Sequence, residues 1–247
     1  MIKIGCCGFP KAIEKYAKQF KLVEVQSTFY KLPLIKTVEK WRNIVPTDFE
    51  FTIKCFQGIS HPTNSPTWKR SGLNENEIKR LSDKVGFLRP TSEVLSFWNE
   101  TLQVCKTLKS KICLIQLPSS FKENEENKKN MKKFFSSIKR DEISIAIELR
   151  GWSDKGIEEV CKVFDLIDVC DPFARQPTFF SKKKIAYFRL HGSPPGKRMY
   201  SYKYTRKDLE SLLKKINEIK RSVKEVYCLF NNIYMWKNAK QFQFLNL

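Results

Sequence analysis

The chain has 247 residues and a mass of 29.1 kDa, with 41% hydrophobic residues, 29% charged residues and a formal net charge of +20. This composition is globular, and the length admits one large domain or two small ones. No apolar run approaches the roughly 18 to 20 residues of a membrane span, and the opening MIKIGCCGFPK lacks the apolar core of a signal peptide, so a soluble, cytoplasmic protein with no membrane partner is expected.

Taken in order, apolar and β-branched runs at residues 2–5, 22–25, 49–55, 112–117, 143–149, 166–170, 185–190 and 226–230 read as strands. Amphipathic segments alternate with them at 37–44, 125–138, 154–164 and 207–223. In the last, Leu209, Leu212, Leu213, Ile216, Ile219 and Val223 form one apolar stripe with lysines opposite, as in a helix that covers a sheet. The third connection is much longer than the others. It holds the turn-rich GISHPTNSPTWKRSG and then predicted helices at 75–87 and 92–108, divided by Arg89-Pro90. No linker, repeat or low-complexity tract divides the chain. The reading is an α/β protein: a single (β/α)8 TIM barrel over residues 1–247 with a long helical connection after strand 3.

Polar side chains gather at the strand ends. Glu148 and Arg150, two residues apart on a strand, project to the same face of an otherwise apolar segment. Glu24 and Gln26, Lys54, Gln116, Arg189 and His191, and Asn231 and Asn232 close other strands in the same way. A parallel barrel brings these C-terminal ends to one mouth, so a mixed-charge site is expected there. Lys54, Arg150 and Arg189 suit an anion clamp, and Glu148 or Glu24 with His191 suits proton transfer. The alternative is an internal ion-pair network that fills the barrel top, with His191 a structural histidine. His61, in the long third connection, either reaches the mouth or caps a turn. After strand 7, Lys197, Arg198, Lys203 and Arg206 interleave with Tyr200, Tyr202 and Tyr204, a pattern that fits phosphate beside a stacked ring, or a loop packed on its neighbours.

Cofactor signals are few. Eight dispersed cysteines contain no CxxC pair and only two histidines are present, which argues against structural zinc. No GxxxxGK[ST], GxGxxG or GxSxG motif occurs, so no organic cofactor is indicated. Glu24, Glu148, Asp171 and His191 come from different strand ends and are compatible with a divalent metal, although their spacing does not require one.

The segments VEVQSTFY (23–30), FTIKC with ISHP (51–55, 59–62), LIQLPSSF (114–121), IELRGW (147–152), YFRLHG (187–192) and LFNN with a later NA (229–232, 238–239) resemble, in order, the blocks of the YecE-like family, also called domain of unknown function seventy-two. The resemblance covers nearly the whole chain. It implies a cytoplasmic (β/α)8 barrel of the broad xylose-isomerase-like kind, and places Glu24, Ser27, Thr28, Tyr30, Lys54, His61, Gln116, Glu148, Arg150, Trp152, Arg189, His191, Gly192, Asn231 and Asn232 at motif positions without assigning them roles. Departures are Gln26 in place of Asn, Gly151 in place of His, Ile233 in place of Asp, and GCCGFP in place of a GTSGW-like opening. The lost His and Asp are two fewer proton carriers or metal ligands.

The expected function is therefore an enzyme acting on an anionic or phosphate-bearing small molecule at the barrel mouth, by phosphoester hydrolysis or isomerisation, with Glu148, His191 and Glu24 as the catalytic candidates. Lys54, Arg150, Arg189, Gln116, Tyr30, His61, Trp152, Asn231, Asn232, Lys197, Arg198 and Tyr200 are the substrate-binding candidates. The competing class is a nucleic-acid-binding protein that uses its +20 surface.

Overall fold

The computed structural model describes residues 1–192 and 199–245. Eight parallel strands pair in chain order and close on themselves: β1 (Ile2–Cys7), β2 (Leu22–Val25), β3 (Glu50–Lys54), β4 (Ile112–Leu117), β5 (Ser144–Leu149), β6 (Ile167–Cys170), β7 (Ile185–Leu190) and β8 (Glu225–Phe230), with β8 returning to β1. Because successive strand residues point to opposite faces, one parity fills the barrel and the other meets the helices. Leu22, Leu114, Ala146, Val169, Tyr187 and Leu229 belong to the inner cluster. At the N-terminal end Lys3 Nζ sits 2.5 Å from Glu50 and 2.6 Å from Glu225, closing the barrel floor.

The helices are α1 (Ile13–Ala17), α2 (Ser27–Tyr30), α3 (Ile35–Ile44), α4 (Gln57–Ser60), α5 (Glu75–Arg80), α6 (Ser92–Leu108), α7 (Glu125–Ser137), α8 (Asp154–Phe164), α9 (Arg206–Ile219) and α10 (Met235–Leu245). Side chains of Thr91, Asn124, Ser153 and Thr205 cap α6, α7, α8 and α9 by accepting a backbone N–H of the first turn. None of the helices among the described residues is long and apolar enough to cross a membrane.

Three helix boundaries differ from the sequence reading. The helix expected over 75–87 stops at Arg80, because Asp83, Gly86, Phe87 and Leu88 all take positive φ. That turn serves another purpose: Gly86, Phe87 and Leu88 donate N–H groups to the carbonyls of Gly58, Ser60 and Ile59, fastening the long connection onto α4. α9 ends at Ile219, where a turn with Ser222 N–H on the Ile219 carbonyl redirects the chain to β8, and α3 begins two residues before the expected 37. β6 and β7 are joined without a helix. That connection is pinned instead by a buried pair, Arg175 Nη1 to Asp168 Oδ2 at 2.7 Å, with the Thr178 N–H donating to the same oxygen at 2.8 Å.

Candidate functional site

Inner parity carries Glu24 (β2), Lys54 (β3), Gln116 (β4), Glu148 (β5) and Arg189 (β7) to the C-terminal mouth, one residue step above the apolar layer. Arg189 is 1% exposed and spans the opening. Its Nε and Nη2 approach Glu24 Oε1 at 3.1 and 3.0 Å, and its Nη1 approaches Glu148 Oε2 at 2.5 Å and Gln116 Oε1 at 3.2 Å. The second Glu24 oxygen accepts the Tyr187 hydroxyl at 2.7 Å, which also meets Thr52 Oγ1 at 2.8 Å, and Gln26 donates to the first. The buried charges of Glu24, Glu148 and Arg189 are tolerable here because each finds a partner.

Glu148 accepts from Arg150 Nε at 2.7 Å through its other oxygen. Burial alone would raise this carboxyl, but Arg189 first and then Arg150 and His191 outweigh it and hold the group well below the usual carboxylate range. Arg150, in contrast to Arg189, keeps 31% of its side chain exposed. Its Nη2 lies 3.4 Å from the Tyr200 hydroxyl, and the Tyr200 ring stands edge-on to His191 with centroids 5.5 Å apart. Asp171 accepts the His191 backbone N–H at 2.9 Å and lies 3.6 Å from its Nδ1, while Nε2 is buried without a hydrogen-bond partner among the described residues. A cavity of about 320 Å³ opens at this side of the mouth, lined by Glu148, Arg150, Trp152, Asp171, Arg175 and His191. Trp152 forms its wall, held by a 2.8 Å bond from its indole N–H to the Phe121 carbonyl and by stacking on the Phe121 ring.

Across the mouth, Lys54 Nζ lies 3.9 Å from the centroid of the Phe29 ring and has no carboxylate within 4.0 Å among the described residues. Burial, with added repulsion from Arg189, lowers its ammonium to about 8 against the pull of Glu148 and Glu24. His61 stands edge-on to the same ring at 4.9 Å, with Nδ1 2.8 Å from Ser60 Oγ. Burial first, then the positive charge of Lys54 and Arg150, push this imidazole down to about 3, so it is neutral at physiological pH. His61 therefore reaches the mouth as well as closing a turn, and Gly86 makes that possible. At φ +80 it packs so closely that a Cβ would fall 2.5 Å from the His61 carbonyl carbon.

The remaining candidates divide. Tyr30 packs at the rim, under the Arg70 guanidinium at 3.5 Å. Asn231 continues the inner parity of β8, its N–H donating to the Leu190 carbonyl at 2.8 Å. Asn232 takes the opposite parity and does not face the mouth: its Nδ2 donates to the Tyr202 carbonyl at 2.7 Å and to Asn238 Oδ1 at 3.2 Å, so its role is structural. Lys197 and Arg198 lie outside the described residues. For the metal reading, Glu24 and Glu148 are turned to Arg189, and no group of three or more His, Cys, Asp or Glu among the described residues is arranged to hold an ion. Sequence reasoning passed over Tyr187, Cys7 and Arg175. Cys7, at the end of β1, has its thiol pushed well up by burial and by Glu24. The inner parity of Tyr187 was the available signal, masked because a tyrosine in an apolar strand reads as core.

Fold and mouth define a TIM-barrel protein with a charged, partly open site at the C-terminal strand ends. The family model described as protein of unknown function DUF72 matches residues 8–245, and the chain belongs to that family. A curated relative, UPF0759 protein YunF of Bacillus subtilis (strain 168), is 22% identical over 90% of this chain and 80% of its own. Among solved structures, a DUF72 family protein from Enterococcus faecalis V583 is 24% identical with a TM-score of 0.74, covering 100% of this chain and 98% of that one. A D-tagatose 3-epimerase-like protein shares the fold at 14% identity and a TM-score of 0.56, over 99% and 98% of the two chains.

Proposed function

We propose that the protein is an enzyme that binds a small anionic or phosphate-bearing substrate at the barrel mouth and moves protons on it, as an isomerase or a phosphoester hydrolase does. The observation that carries this reading is the isolated Lys54 ammonium. Glu24 and Glu148 are balanced by Arg189 and Arg150, which leaves Lys54 as a buried positive charge that an anion would neutralise. Arg150, partly open to the cavity, offers the second cation. His191, steered by Asp171 and with an Nε2 that no hydrogen bond occupies among the described residues, suits proton transfer better than Glu148, which two guanidinium groups keep ionised.

The test is titration with inorganic phosphate followed by thermal unfolding. A ligand that binds only the folded protein raises Tm in a saturable way. The expected result is such a rise in the wild type and its loss in Arg150→Ala; a shift that is absent, or indifferent to the substitution, removes the reading. The net charge of +20 favours the second reading, nucleic-acid binding. Steeply salt-dependent retention on heparin that survives Arg150→Ala, without a phosphate effect, would favour it over the first.

A further inference from the structure

Two lysines on the strands reach the inner face of the barrel, and their surroundings are opposite. Lys3 at the floor is neutralised by Glu50 and Glu225 at 2.5 and 2.6 Å. Lys54 at the mouth, 7% exposed, has no carboxylate within 4.0 Å among the described residues, because Glu24 and Glu148 are committed to Arg189. Its backbone is fixed by Thr28 Oγ1, which donates to the Lys54 carbonyl at 2.7 Å and to the Val25 carbonyl at 3.1 Å. The next residue, Phe29, lays its ring under Nζ at 3.9 Å and touches His61 at 4.9 Å. The amine is thus buried against an apolar ring, where the positive charge of Arg189 and Arg150 opposes the pull of Glu148 and Glu24. An amine kept from carboxylates in such surroundings spends part of its time unprotonated, and an unprotonated amine is a nucleophile. Its lowering to about 8 agrees with this placement.

We propose that Lys54 is the nucleophile of the mouth, condensing with the carbonyl carbon of a small aldehyde or ketone whose carboxylate or phosphate is held by Arg150. This rests on the reading of the mouth as an anion site and narrows its substrate class to anionic carbonyl compounds. In the step itself, the nitrogen lone pair forms the C–N bond and the C=O π pair moves to oxygen. The oxygen gains one proton from the amine and a second from solvent and leaves as water, giving a protonated iminium. The neutral His61 imidazole packs on the same Phe29 ring as the amine. The iminium withdraws electrons from the adjacent C–H bond, the activation an isomerase of carbonyl compounds requires, and hydrolysis returns the free amine.

The experiment is reductive trapping on the folded protein with glyoxylate or dihydroxyacetone phosphate and cyanoborohydride, mapped by peptide mass. The expected result at pH 7 is a reduced adduct on Lys54 forming roughly tenfold or more faster than on surface lysines, since an ordinary lysine in water titrates near 10.4. Its rate should rise through an inflection near 8, a profile readable in the wild type without any substitution. Lys54→Arg should lose that adduct. Labelling of Lys54 no faster than the surface, or an inflection above about 10, overturns the proposal. If the phosphate effect persists in that case, only the nucleophile fails; if it too is absent, the anion reading fails with it.

Discussion

Arg189 and Glu148 meet across the barrel mouth from β7 and β5, Nη1 to Oε2 at 2.5 Å, with no room left for solvent on the arginine. The same guanidinium reaches Glu24 on β2. Three strands that are not neighbours in the barrel are therefore tied by one side chain, and the two carboxylates are withheld from Lys54.

Removing that tie should be costly. Arg189→Leu leaves Glu24 and Glu148 buried without a counter-charge, an arrangement that costs about 3–5 kcal/mol. In a chain of this size that corresponds to a Tm lower by roughly 6 to 20 °C. Urea unfolding and calorimetry would measure it, and a loss below about 1 kcal/mol would show that the network carries little weight.

Glu148 gives the fold an acid limit. Its folded value lies below the ordinary 4.5, so its contribution to stability is complete above 4.5 and is lost as pH falls from there through the folded value. Glu148→Gln should be less stable than the wild type at pH 7, and the gap should close progressively below pH 4.5. Parallel denaturation series at pH 7, 5 and 3 would check this; a gap that stays constant contradicts it.

His61 should not titrate where histidines ordinarily do. With a folded value near 3 against an ordinary 6.5, the unfolded chain takes up the proton first, so this contribution is intact above 6.5 and is lost as pH falls toward 3. The His61 ring resonance should stay constant between pH 8 and 5, and His61→Gln should flatten the pH dependence of stability between 6.5 and 3. The chain has only two histidines, which makes the assignment simple.

Asn232 separates scaffold from site. Its buried amide joins the Tyr202 carbonyl to Asn238, and Asn232→Ala should cost about 1–3 kcal/mol through the unpaired acceptors it leaves. Phosphate affinity should be unchanged. A variant of full stability with weakened phosphate binding would return Asn232 to the site.

Much of this molecule was legible in the chain itself. The alternation of apolar runs with helical stripes gives an eight-stranded α/β barrel, and the two-residue period of a strand places Glu24, Lys54, Gln116, Glu148, Arg189 and His191 on one face. That period also separates Asn231 from Asn232, since only one of two neighbours can point inward. The early end of α5 was not legible, because the positive φ values at Phe87 and Leu88 are imposed by their bonds to α4 rather than by residue type.

Sequence order alone determined which side chains face the barrel interior, because side-chain direction along a strand is a local property of the backbone. Which of them pair was decided only when the sheet closed. Closure set Arg189 beside Glu24 and Glu148, brought His61 from a distant loop to the Phe29 ring, and left Lys54 without a carboxylate. Charge pairing depends on separations of a few ångströms between strands far apart in the chain, and those distances exist only in the folded barrel.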